Sequence, residues 1–191
     1  MSTPETMAAA AAPLLRIAAA ITPADLDRPT PCTDYDVAAL VNHLLYWAPG
    51  LAAAGRREQA PPPPESLPLD AEFAETLRPR VDEIVAAWSE PRAWQGTAEF
   101  AGAVLPAPML GGMVVGELVV HGWDLARALG LDAGWDDALL GFLFEQVSAT
   151  AEQGREMGAY GPAVPIPDSA PTLDRVLATT GRAPHWRPST V

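Results

Sequence analysis

The chain has 191 residues, of which 49% are hydrophobic and 19% charged, and its formal net charge is −12. That length and apolar share suit one domain with a substantial core, while the acidic balance argues against nonspecific binding to nucleic acid or to anionic lipid, both of which need a basic surface. A lone cysteine, Cys32, excludes an intrachain disulfide and a multi-cysteine metal cluster.

Pro4 to Ala20 reads as a first helix on its alanine content, with Pro13 either kinking it or marking its true first turn. The Met7 to Ile21 part of it is the nearest approach to a membrane span. It is shorter than the roughly 18–20 apolar residues a span requires and contains Pro13 and Arg16. No basic segment precedes it as in a signal peptide, so a cytoplasmic location is expected. Ile21 to Thr33 is a connector, because Thr22-Pro23, Arg28-Pro29 and Thr30-Pro31 all disfavour helix.

Thr33 or Asp34 is expected to cap a second helix of roughly twenty residues. Val37, Leu40, Val41, Leu44, Leu45 and Leu51 form its apolar face, and His43 lies at the edge of that face beside Leu40 and Trp47. The Arg56 to Leu69 stretch, with prolines from Pro61 to Pro64, is an extended loop. A third helix spans about Asp70 to Ser89, with Phe73, Leu77, Val81, Ile84, Val85 and Trp88 at helical spacing and Pro79 as a potential break. Arg92 to Met109 has no helical period; Trp94 to Thr97 and Phe100 to Leu105 make either a short hairpin or an irregular loop.

The fourth helix is an amphipathic one that ends at Gly130, a residue suited to the left-handed closing turn. Leu110, Val114, Leu118, Leu125 and Leu129 fall on one apolar stripe at about 100° per residue. His121 lies near the middle of the stripe and Glu117 on its flank, one turn earlier. Asp136 or Asp137 starts a fifth helix carrying Leu139, Leu140, Phe142, Leu143, Val147 and Ala151. After Gly154 the chain turns into an extended Pro-rich segment, then a short helix from Thr172 to Thr180 and a tail from Trp186. The expected architecture is all-α: a single domain over 1–191, a four-helix bundle with a C-terminal extension from about residue 155.

Glu117 and His121, at i and i+4, can both reach one cation. A carboxylate facing a core is costly unless it is paired, hydrogen-bonded or bound to a metal. The pair is therefore either half of a metal site or a structural hydrogen bond. A third ligand would be His43 or His185, and spacing alone does not decide, since ligands in a bundle come from different helices. A His₂Glu set leaves a coordination position for water or substrate, as in catalytic zinc sites; nickel, iron and cobalt accept the same donors. Asp124 either orients His121 or sits on a solvated face. Cys32, between Pro31 and Thr33 with no base beside it in sequence, reads as a half-buried structural cysteine rather than a nucleophile. Trp47 and Trp123 either line a cavity near the metal or pack as wall. Arg127 either binds an anionic cofactor or is a surface residue near a helix C-terminus.

Thr30-Pro31-Cys32-Thr33-Asp34-Tyr35-Asp36-Val37, followed by Leu40-Val41-Asn42-His43-Leu44, resembles the opening of actinobacterial DinB-like metal-binding proteins, the group that includes mycothiol-dependent maleylpyruvate isomerase. Gly116-Glu117 through His121-Gly122-Trp123-Asp124-Leu125-Ala126 resembles its later metal-binding helix. The ending also matches: Tyr160-Gly161-Pro162, then Ala170-Pro171-Thr172-Leu173-Asp174-Arg175-Val176-Leu177 and Thr180-Gly181-Arg182. The resemblance implies a DinB-like four-helix bundle with His43, Glu117 and His121 as ligands of a divalent metal, zinc first among the metals. It also implies mycothiol as cofactor or co-substrate, held as a thiolate that attacks an electrophilic small molecule in a transferase or isomerase reaction. The isomerase itself is expected to carry a further C-terminal α/β domain in place of this chain's extension. The alternatives are a noncatalytic metal- or ligand-binding bundle and a metal-dependent hydrolase; a homodimer is expected by analogy alone.

Overall fold

The structure, a computed structural model, describes residues 3–62 and 73–188. Among these residues the chain forms α1 (Thr3–Ala18), α2 (Val37–Arg56), α3 (Phe73–Trp88), β1 (Thr97–Phe100), β2 (Ala103–Pro106), α4 (Ala107–Leu129), α5 (Asp137–Glu156) and α6 (Thr172–Thr179). Helix α1 packs on α3 and α4, and α2 packs on the same two, which makes the four-helix bundle; α5 adds to α4 and α6 to α5. Pro13 and Pro79 lie inside α1 and α3 rather than ending them. The expected start of α3 at Asp70 and the loop from Pro63 to Leu69 fall outside the described residues.

Helix α4 is less amphipathic than its leucine stripe implies. Its small residues let neighbours close in on the other faces, so Gly111, Gly112, Val115, Val119 and Ala126 are buried along with Leu110, Val114, Leu118 and Leu125. It ends where expected, with Gly130 at φ 71° and its N–H bonded to the Ala126 and Arg127 carbonyls.

The cap of α2 is Asp36, later than Thr33 or Asp34. The Thr30 hydroxyl accepts from the Cys32 N–H at 3.1 Å and donates to the Tyr35 carbonyl at 2.7 Å, so residues 30–35 are tied into turns before the helix can start. The Asp36 carboxylate then accepts from the Ala39 N–H at 2.7 Å. An Asp36→Ala variant is expected to lose about 1 kcal/mol of stability in urea unfolding; no loss would show that the turn alone fixes the helix start. By length and composition α2 is apolar enough to cross a membrane, with mean hydropathy 1.3, but 56% of the relevant window is buried inside the bundle.

Residues 97–106 form a hairpin. Ala101 and Gly102 take positive φ (51° and 79°), as a two-residue turn of the twisted type requires. The first strand begins at Thr97 instead of Trp94, because Pro91–Trp94 is a 3₁₀ turn that buries Trp94 and lets its indole N–H donate to the Trp88 carbonyl at 2.7 Å. Arg57, just past α2, donates to the carbonyls of Thr97 (2.8 Å), Arg92 (2.9 Å) and Gln95 and so ties the hairpin to that helix. Tryptophan is used mainly as structure: Trp88 donates to Leu51 O at 2.9 Å and Trp135 to Ala10 O at 3.1 Å.

Candidate metal centre

Residues 117, 121 and 124 stand at intervals of four and three along α4, so their side chains share one face. Opposite this face, α2 presents His43. Its Nε2 lies 3.2 Å from Glu117 Oε2, and His121 Nε2 lies 3.4 Å from the same oxygen. The two imidazole rings meet edge to face with centroids 4.9 Å apart, and Tyr35 leans on His43 from the connector at 5.2 Å. All three ligand atoms fall within 4.8 Å of one another.

That spacing fits a metal. Ligand atoms at about 2.1 Å from a tetrahedral ion are about 3.4 Å from each other, close to the separations from Glu117 to each histidine. The donor chemistry, two imidazole nitrogens and one carboxylate, suits zinc and the neighbouring divalent transition metals. Burial pushes the Glu117 carboxyl up, but the charge of His121, the hydrogen bond and charge of His43, and Arg182 outweigh it and hold the group below its ordinary value. A carboxylate ready to bind a cation is the result.

Behind His121, Asp124 is fully buried, and its Oδ2 accepts from His121 Nδ1 at 3.1 Å. The solvated-face alternative for Asp124 is therefore wrong: the residue is 0% exposed, and Arg182, from the turn after α6, reaches its carboxylate. With Nδ1–H donated to Asp124, His121 presents its Nε2 lone pair to the cleft. Arg182 donates to the same Asp124 oxygen at 3.3 Å, and its own side chain is 11% exposed. Desolvation works against the Arg182 cation, yet the charge and hydrogen bond of Asp124, together with Cys32 and Glu117, outweigh it and hold the Arg182 pKa above its ordinary value.

The three candidate ligands open on a cleft of about 320 Å³, lined by residues 31–35 and by 158–161 and 180–182. The family model described as mycothiol maleylpyruvate isomerase N-terminal domain matches residues 7–126, with His43, Glu117, His121 and Asp124 all inside the matched segment. The chain belongs to this family. It is also similar to two crystal structures, of the mycothiol-dependent maleylpyruvate isomerase and of a histidine-to-alanine mutant of it. Each is 16% identical, with TM-scores of 0.59 and 0.63, and each match covers 98% of this chain and 83% of the other. At that identity the likeness concerns the fold, and because it covers almost the whole chain it takes in the C-terminal extension. No curated protein matches the chain.

The family match stops before two residues that shape this member's site, Tyr160 and Arg182. Both belong to the C-terminal segment, which doubles back on itself: Gly161 N–H donates to Thr180 O at 3.3 Å, Val164 N–H to Ala178 O at 2.9 Å, and Arg182 N–H to Leu177 O at 2.8 Å. The repeated small-residue punctuation at Gly161 and Gly181 was the available signal in the sequence, although nothing in it pairs these glycines with the distant Glu117. His185, the other histidine considered as third ligand, is exposed on the tail.

Cys32 is half-buried and lines the cleft, its sulfur within 4.8 Å of ligand atoms of His121 and Asp124. Burial pushes its thiol up against the lowering pull of Arg182. At pH 8 it is expected to react with iodoacetamide at least about threefold more slowly than free cysteine; a mass-spectrometric time course showing faster alkylation would reveal an activated thiol. Trp47 packs against Tyr46 and Phe100 on the hairpin side, and Trp123 is buried with Arg127 stacked on its ring at 5.9 Å. Arg127 also donates to the Trp186 carbonyl at 3.0 Å. Neither Trp47 nor Arg127 is among the residues lining the cleft.

Proposed function

We propose that this chain is a divalent-metal- and mycothiol-dependent transferase or isomerase acting on an electrophilic small molecule. The observation that carries the reading is the convergence of His43 Nε2, His121 Nε2 and Glu117 Oε2 at the floor of an open cleft in a member of this family. These three would hold the ion, zinc by donor type, with nickel, iron or cobalt as the other metals to test for. When bound, a divalent cation lowers the pKa of a coordinated thiol so that it is a thiolate at neutral pH. Asp124 fixes the His121 tautomer, and Arg182 holds Asp124. Residues 158–161 and 180–182 wall off one side of the cleft where sulfur and electrophile meet. The thiol gives its proton to solvent and its sulfur bonds to the electrophilic carbon, where a bond to a leaving group or a π bond breaks and takes the electron pair. A transferase reaction then expels a leaving group with its electron pair, whereas an isomerase reaction expels the same sulfur after rotation about the bond it had saturated.

Elemental mass spectrometry on untagged wild type and on His121→Ala is the test. About one zinc, nickel, iron or cobalt per chain is expected in the wild type, with loss in the variant, and mycothiol binding is expected to disappear when the metal is stripped. Wild type that stays empty after incubation with all four metals would overturn the reading, as would thiol binding that survives chelation. Metal without thiol turnover on a panel of electrophiles would make the protein a noncatalytic binder, and thiol-independent turnover would make it a hydrolase.

A further inference from the structure

The candidate ligands face more than the cleft described above. Beside Tyr160, between α4 and α5, lies a second, smaller chamber of about 70 Å³, room for a short alkyl group. Glu117, His121, Tyr160 and Arg182 line both spaces, so the candidate metal centre sits at their junction. Tyr160 can form the partition because Gly154 has no side chain: a Cβ there would lie 2.5 Å from the tyrosine ring.

The two chambers differ in chemistry. The first is bordered by Cys32, Thr33, Asp34 and Tyr35. The second is bordered by Met109, Met113, Val120, Val147 and Met157, from two helices and the turn after α5. Methionine is unbranched and polarizable and moulds to apolar ligands of differing shape. Among the residues lining either chamber, Arg182 is the one arginine, and it already faces Asp124, with Glu117 close by. Without a metal ion at the junction, an anionic group entering the second chamber would find no unpaired arginine or lysine among the described residues lining it and would lose its hydration.

We propose that the α4–α5 chamber binds the uncharged, apolar substituent of the electrophile, a short alkyl group, while the first chamber receives the thiol. The inference rests on the proposed function for its chemistry, but the chamber can be tested without metal or thiol. The chain holds five methionines. Three line this chamber, whereas Met7 is fully buried in the core and serves as an internal control.

The experiment labels the methionine methyl groups with ¹³C in the full chain and titrates ethanol, n-propanol and n-butanol, then the matching alkanoates. It is run on protein as purified and again after chelation. The resonances of Met109, Met113 and Met157 are expected to shift while Met7 does not. Affinity is expected to rise about fourfold per added methylene, and after chelation each alkanoate is expected to bind at least tenfold more weakly than its alcohol. Ala159→Phe, at an exposed position that borders the chamber, is expected to weaken n-butanol binding at least tenfold. Affinity independent of chain length, equal binding of alkanoates after chelation, equal shifts at Met7, or full binding by Ala159→Phe would each overturn the proposal. If this pattern appears in protein that binds neither metal nor thiol, the chamber stands and the proposed function fails. Metal-dependent thiol binding without the pattern overturns the chamber alone.

Discussion

An Asp124→Ala variant is expected to lose about 3–5 kcal/mol of unfolding free energy, because removing one partner of a buried ion pair leaves the other uncompensated. Asp124 is fully buried, and both Arg182 and His121 direct a nitrogen at its Oδ2. Without the carboxylate, Arg182 keeps its charge in a site where it is 11% exposed. Part of the loss is expected to return in an Asp124→Ala, Arg182→Leu double variant, since the orphaned charge is then gone; the two substitutions should be strongly non-additive. Asp124→Asn separates stability from orientation. It preserves the packing but not the charge that holds the imidazole, and metal affinity is expected to fall about 10–100-fold. Urea titrations and a competitive metal indicator measure the two effects. A stability loss below about 1 kcal/mol for Asp124→Ala, the size of an exposed pair, would mean that water reaches the Asp124–Arg182 contact and that it is not the support of His121 described here.

Gly181→Ala is expected to loosen the C-terminal wall of the cleft, at a cost of about 2–3 kcal/mol. Gly181 has φ 88°, and a Cβ there would lie 2.6 Å from the Gly161 Cα, a backbone atom that cannot rotate away. Gly161→Ala is the matched control: its Cβ would meet the nearest Gly181 atom at 3.5 Å, an ordinary contact, and its stability should change by a few tenths of a kcal/mol. Hydrogen exchange is expected to accelerate across residues 161–182 in Gly181→Ala, with the amides of α1–α4 unchanged. If both variants behave alike, the close approach of the two glycines does not hold Tyr160 and Arg182 in place.

Much of the bundle follows from local pattern. The stripe through Leu110, Leu118 and Leu125 requires a helix with its C-terminus at Gly130, and α2 buries each of the six apolar residues that its spacing selects. The i, i+4 pair of Glu117 and His121 is likewise a local fact, since one helical turn brings the two together whatever the rest of the chain does. Local pattern misplaced the α2 cap, because the turns that delay the helix depend on the Thr30 hydroxyl reaching as far as Tyr35. It also began the candidate first strand at Trp94, because the 3₁₀ turn over Pro91–Trp94 is set by where the Trp94 indole finds the Trp88 carbonyl.

The sequence alone thus determined helices with defined faces and placed a carboxylate and an imidazole on one of them. The tertiary structure decided which histidine joins them, and it set Asp124 in the interior rather than on a solvated face. It also brought Tyr160 and Arg182 across from a segment that follows α5. The reason is physical. Periodicity reports which side of a helix avoids water, but a metal-sized gap is the sum of several helix positions, and those are fixed only when small residues such as Gly154 and Gly181 let backbones and rings approach to contact.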